Sequence, residues 1–155
     1  WDHYLLIGGV GSTLPLAFLL LRSRATHLRT IGRMGIVPSF FNINEPILFG
    51  LPVIMNPIML IPFNLVPLVL VTVQYAAMKI GAVAVTTGVF IPWTLPPVIS
   101  GFIVTGHLSG SVMQLINLLI GAMLYLPFMR IVDKQYRAAE MSTVTQTDTT
   151  LAKQE

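Results

Sequence analysis

An all-α polytopic membrane protein is the fold class the sequence predicts, with about three full transmembrane helices and two proline-rich re-entrant hairpins. Three observations predict it. Of 155 residues, 54% are hydrophobic and only 10% charged, whereas a soluble domain carries about a quarter charged residues. The apolar residues gather into runs long enough to cross hydrocarbon. The basic residues gather beside those runs, at 22–33 and 130–137, as the positive-inside bias expects of cytoplasmic boundaries. Nucleic-acid binders also show basic clusters, but beside long apolar runs the membrane reading prevails, so lipid and not nucleic acid is the expected surrounding. Cysteine is absent, which excludes disulfides and cysteine-based metal or redox sites.

The chain opens on Trp1-Asp2-His3 with no initiator Met and no signal-peptide pattern, so a continuation upstream is expected. Residues 4–21 (YLLIGGVGSTLPLAFLLL) are uncharged and form the first expected span, near the lower length limit for hydrocarbon. It ends at Arg22, Arg24, Arg29 and Arg33. Residues 63–80 form the second, with Lys79 able to snorkel at its end. Residues 110–129 form the third, stopped by Arg130, Lys134 and Arg137. Residues 138–155 are polar and lack periodicity, which predicts a disordered cytoplasmic tail. The segment 34–62 holds Pro38, Pro46, Pro52, Pro57 and Pro62, and 81–106 holds Pro92, Pro96 and Pro97 with four glycines. Proline removes a donor and clashes with the preceding turn, so neither segment is one regular helix. If both basic clusters are cytoplasmic, parity is simplest when each segment returns to the side it left, the first from the cytoplasm and the second from the opposite face. Broken backbone at that depth must be buried in protein or line a wet cavity, and transporters build midplane binding sites this way. Surface loops are the alternative, disfavoured by the apolarity of ILFGLPVIMNPIMLIPF and GVFIPW.

Between Arg33 and Arg130 only Glu45 and Lys79 are formally charged. Snorkelling accounts for Lys79. Glu45 sits at the expected turn of the first hairpin, and an intramembrane carboxylate is a functional-site hypothesis by default; capping of a half-helix by Asn-Glu-Pro is the structural alternative. Asn42 and Asn44 offer donors and acceptors either to a multi-hydroxyl ligand or to the broken helix ends, and their residue types do not choose between the two. Trp93 and Thr94 stand between prolines in IPWTLPP. Trp93 reads first as an interfacial anchor and second as a plate for the apolar face of a sugar ring. His3, His27 and His107 lie near span boundaries, which predicts interfacial solvation, and no pair has metal-ligand spacing. GGVGS at 8–12 and GHLSG at 106–110 read as small-residue helix packing rather than phosphate loops.

Residues 30–63, TIGRMGIVPSFFNINEPILFGLPVIMNPIMLIPF, closely resemble the signature of the sugar-transporting C component (enzyme II C) of bacterial phosphotransferase systems. The match is to the lactose, cellobiose and diacetylchitobiose branch. IGGVGSTLPLAFLLL before it agrees, as do TGVFIPWTLPPVISGFIVTG and SGSVMQLINLLIGAMLYLPFMRIVDKQ after it, so the resemblance covers residues 4 to about 137. It implies a multi-pass protein of the bacterial plasma (inner) membrane that binds a β-linked disaccharide and carries it across by an elevator-like movement. The sugar's 6-hydroxyl is then phosphorylated by a phosphocysteine on a soluble B component, with no cofactor in the membrane part. Glu45 matches the family's glutamate of the NEP motif, beside the hydroxyl to be phosphorylated. Trp93 corresponds to a tryptophan that packs on the sugar. A positioned carboxylate can take the hydroxyl proton or hold the oxygen in line. Phosphoryl transfer asks mainly for positioning, so Glu45 is the one catalytic residue expected here.

Family members are much longer, with upstream helices that build a homodimer and a functional histidine that none of His3, His27 or His107 matches. The chain therefore reads as the C-terminal part of an elevator-type transporter, expected to be inactive alone, and whether it counts as an enzyme stays open. Two other readings stand beside this one: an ion- or proton-coupled secondary transporter with Glu45 as coupling carboxylate, and a non-transporting membrane interaction module.

Overall fold

The computed structural model describes residues 2–151, and all regular structure among them is helical. The elements are α1 (Asp2–Leu5), α2 (Leu14–Leu21), α3 (Thr26–Phe40), α4 (Glu45–Gly50), α5 (Pro57–Lys79), α6 (Ile99–Thr105) and α7 (Leu108–Leu151). Two helices are long and apolar enough to cross a membrane, α5 and the stretch Leu108–Thr145 of α7, and only 28% of the most apolar window of each is buried. The core helix of a soluble protein buries most of such a window, so these outward faces suit lipid or further protein.

The spans expected at 63–80 and 110–129 fall on α5 and α7, except for Ile80. α5 begins earlier, at Pro57, because that proline stands in the first helical turn, where its missing N–H costs nothing. Asn56 caps the same end, accepting from the Ile58 amide at 3.0 Å. The two helices run antiparallel: Met59 and Val66 join a core cluster with Tyr125 and Met129, whereas Val73 and Met78 pack at the other end with Met113.

The first expected span is not one helix. It breaks between α1 and α2 into a loop in which Gly8, Gly9 and Gly11 have φ of +84°, +93° and +82°, and Ser12 has +53°. Left-handed backbone of this kind favours glycine and cannot continue a helix. GGVGS is thus a tight turn, not a packing stripe. The loop closes on itself through Thr13 Oγ1 donating to the Gly8 carbonyl at 2.6 Å and the Ser12 hydroxyl donating to Leu5. The path still runs along α7 from Gln114 to Asp133, since Gln114 donates to the His3 carbonyl at 2.8 Å and the Ser23 hydroxyl donates to Asp133. Those α7 positions are about 28 Å apart at 1.5 Å per residue, close to the bilayer's hydrocarbon thickness of about 30 Å.

In the first proline-rich segment α3 ends at Phe40, the chain turns at 41–44, and α4 leads back. Asn42 has φ +60°, and the amides of Phe41 and Ile43 both donate to the Pro38 carbonyl, at 2.8 and 3.1 Å. Helix contact is close because Gly35 faces Ile47: a Cβ there would lie 2.5 Å from Ile47 Cγ1. The second proline-rich segment is irregular from Gly81 until α6. Its arms are joined by Thr87, whose amide and hydroxyl donate to the Val104 carbonyl at 2.9 and 3.0 Å. Gln114 of α7 holds it further, accepting from the Gly101 amide at 2.9 Å and donating to Ser100 Oγ at 2.9 Å. In GHLSG, Gly110 meets the packing expectation, since a Cβ there would lie 2.3 Å from the Gly101 carbonyl oxygen; Gly106 instead caps α6 with φ +68°.

The tail is the second departure. Residues expected to be disordered from 138 onward continue α7 to Leu151, while 152–155 lie outside the described residues. Ala138, Ala139, Glu140 and Met141 favour helix, and the extension has something to dock on. Glu140 accepts from the amides of Thr26 and His27 at 3.3 and 3.0 Å, and the His27 ring stacks on Tyr136 with centroids 5.5 Å apart. Two turns earlier Asp133 accepts from the amides of Arg24 and Ala25, at 3.0 and 3.2 Å. Both carboxylates thus meet the N-terminus of α3, where the helix dipole favours negative charge.

Candidate functional site

The glycine loop, the turn between α3 and α4, and the second proline-rich segment converge on one cavity of about 240 Å³. Two asparagines bring them together. Asn42 Oδ1 accepts from the Gly8 amide at 2.8 Å, and its Nδ2 donates to the carbonyls of Trp93 and Leu95. Asn44, 4% exposed, donates through Nδ2 to the Val10 carbonyl at 2.6 Å and to Thr13 Oγ1 at 2.9 Å. Each replaces contacts that no regular helix could supply to left-handed backbone. The fit leaves no room at Gly9, where a Cβ would lie 2.6 Å from Asn44 Cγ. The sequence left ligand binding and helix capping open for these amides. Both line the cavity, while their side-chain bonds clamp the loops; Asn44 stands at the N-cap of α4, but its side chain makes no capping bond there.

Glu45 opens α4 and stands on the cavity wall, as does Trp93. Glu45 is exposed, and its carboxylate makes no hydrogen bond or ion pair among the described residues, so the capping alternative does not describe it. Trp93 is 62% exposed, with its backbone carbonyl held by Asn42, and lines the same cavity as the acid. Thr94 is exposed and is not among the lining residues.

Three wall residues come from the expected first span, Leu6, Gly9 and Val10, and a fourth, His3, just precedes it. His3 lines the cavity from α1, and the left-handed break that follows brings Gly9 and Val10 to the same wall. The signal for it was GGVGS, whose three glycines within four positions suit a left-handed turn better than a helix. The site joins one carboxylate, one imidazole and one indole over an apolar floor, chemistry suited to a polyhydroxylated ring. Among the described residues no group of three His, Cys, Asp or Glu is placed to hold a metal ion.

Comparison with known proteins gives a consistent set of similarities. Residues 2–67 match the family model "Phosphotransferase system, EIIC". The chain is 52% identical over 147 residues to the cellobiose-specific EIIC component of Geobacillus stearothermophilus, covering 94% of this chain and 33% of that protein. It is 46% identical over 137 residues to the lichenan permease IIC component of Bacillus subtilis strain 168, covering 87% of this chain and 30% of that one. The crystal structure of the transporter ChbC, the IIC component of the N,N'-diacetylchitobiose-specific phosphotransferase system, superposes with a TM-score of 0.88 at 44% identity, over 90% of this chain and 33% of that structure. The chain spans about a third of the length of the relatives it matches.

Proposed function

The chain belongs to the phosphotransferase-system EIIC family, and on that premise we propose that it forms part of a sugar permease of the bacterial plasma membrane. The whole protein binds a β-linked disaccharide of the cellobiose, lactose or diacetylchitobiose type. It moves the sugar across and presents the 6-hydroxyl to the phosphocysteine of a soluble B component. The two proline-rich segments are re-entrant hairpins whose tips meet at the sugar. One observation carries the reading: Glu45, with no hydrogen-bond or ion-pair partner among the described residues, shares a small chamber with Trp93 where two chain reversals meet.

Trp93 stacks on the apolar face of one ring. Glu45 accepts the hydroxyl's hydrogen bond, aligns the oxygen with phosphorus and takes its proton as the P–O bond forms and the P–S bond breaks. Asn42 and Asn44 fix the geometry, and Thr94 stands outside this role. At about 240 Å³ the chamber is below the roughly 300 Å³ where small-molecule sites begin. It fits one ring, and the remainder of the disaccharide is held by the rest of the permease.

The test is Glu45→Gln in the full-length permease, assayed with the B component. Sugar-phosphate formation is expected to fall by about 10²–10⁴, the usual contribution of a general base, with expression and sugar binding close to wild type. Retained phosphorylation would overturn the role of Glu45. Uptake of unmodified sugar that stops when an ion gradient is collapsed would favour coupled transport instead.

A further inference from the structure

A second cleft opens at the basic end of the bundle, between the last turn of α2 and α7. It has a volume of about 180 Å³ and shares no wall residue with the Glu45 cavity. Three walls are apolar, Leu19, Leu126 and Met129, and three are charged, Arg22, Arg130 and Asp133. Both arginines are exposed, and neither guanidinium makes a hydrogen bond or ion pair among the described residues. Asp133 is different: the Ser23 hydroxyl and the amides of Arg24 and Ala25 already engage its Oδ1, so its charge is answered within the wall. The net demand of the cleft is for an anion with an apolar body.

We propose that this cleft holds one anionic phospholipid, its phosphate between Arg22 and Arg130 and its acyl chain against Leu19, Leu126 and Met129. Guanidinium groups recognise phosphate through paired N–H donors and resist deprotonation. The cleft also lies at the right level. Met129 ends the apolar stretch of α7 and Arg130 begins the basic one, which is where headgroup phosphates lie if α5 and α7 cross the bilayer, and basic pockets between helices on that side bind acidic headgroups. A soluble phosphate shares the anionic chemistry but leaves the apolar wall unoccupied. The inference rests on the membrane-spanning reading and not on the sugar.

The test uses the full-length permease in neutral detergent, followed by native mass spectrometry and by melting temperature. Dioleoylphosphatidylglycerol is expected to stay bound and to raise the melting temperature where dioleoylphosphatidylcholine does not. Arg22→Gln with Arg130→Gln should weaken its binding about tenfold or more, since a basic residue at the membrane surface contributes about fivefold. Arg33→Gln with Lys134→Gln removes the same charge outside the cleft and should leave binding intact. Leu126→Trp fills the apolar wall without touching a charge and should also displace the lipid, which covers the case where the arginine variant fails to fold. Equal binding of phosphatidylcholine, equal loss in the two double variants, lipid retained by Leu126→Trp, or saturation by inorganic phosphate alone would each overturn the proposal.

Discussion

Asn44 shows how much of the candidate site depends on single side chains that hold its loops together. Its Nδ2 serves two acceptors, the part-buried Val10 carbonyl and the buried Thr13 hydroxyl. Asn44→Leu keeps the approximate volume and removes both bonds, leaving the Val10 carbonyl and the Thr13 hydroxyl without that donor. A buried polar group left unsatisfied costs about 1–3 kcal/mol, so the variant is expected to lower the melting temperature of the full-length protein in detergent. Asn56→Ala, which removes a cap remote from the cavity, should leave sugar binding unchanged while Asn44→Leu abolishes it. The sequence was most informative at Glu45, because scarcity of charge is visible in composition and an acid among apolar residues needs a reason. It was least informative at Gly9 and Val10. Those residues reach the cavity wall because the backbone turns left-handed at Gly8 and Gly9, and the contacts holding the turn come from Asn42 and Asn44, more than thirty positions away. Local pattern carries no trace of a partner at that distance.

Among the elements, prolines were read too uniformly. Pro57 and Pro62 stand as breakers in the expected first hairpin, yet Pro57 starts α5, where its missing N–H costs nothing, and Pro62 lies inside the helix. The polar stretch after 137 failed for the opposite reason. It has no apolar stripe to bury, and its helix is anchored by carboxylates meeting the N-terminus of α3. That anchor makes a pH prediction. Partial burial pushes the Asp133 carboxyl up, but the Ser23 hydroxyl, the amides of Ala25 and Arg24 and the nearby Arg137 guanidinium outweigh it and hold the group below its ordinary value. A depressed carboxylate stabilises the fold above the pKa of an unfolded aspartate, about 3.9, and the contribution disappears as pH falls through the lower folded value. Melting temperature followed against pH should therefore fall in the acid range below that of a free aspartate. Asp133→Asn should begin lower and lose that part of the slope. An unchanged slope in Asp133→Asn would remove Asp133 from the anchor.

For the whole molecule the question is which way the chain enters and leaves the membrane, because the sugar site acquires its meaning from the answer. α2 runs parallel to α7 and ends at the level of Asp133, and α3 starts at the same level beside Glu140. α3 climbs to the cavity, α4 and the following turn descend, and α5 then crosses antiparallel to α7. The second segment leaves the far end of α5, brings Trp93 to Asn42, and returns to Leu108 at that same far end. On the proposed reading the two reversals enter from opposite faces, and both contribute residues to the cavity wall. The segment contains no cysteine, so single thiols placed in it report sidedness without background from its own residues. Met55 is 87% exposed in the turn before α5, and Ile80 is 79% exposed just after it; Lys134 is exposed on the basic stretch of α7. With the basic end cytoplasmic, a membrane-impermeant maleimide added to intact cells should label Ile80→Cys. It should reach Met55→Cys and Lys134→Cys only after the membrane is opened. Met55→Cys labelled from outside would mean that the first segment crosses the bilayer, and Glu45 would then lie in a connecting passage rather than at a hairpin tip.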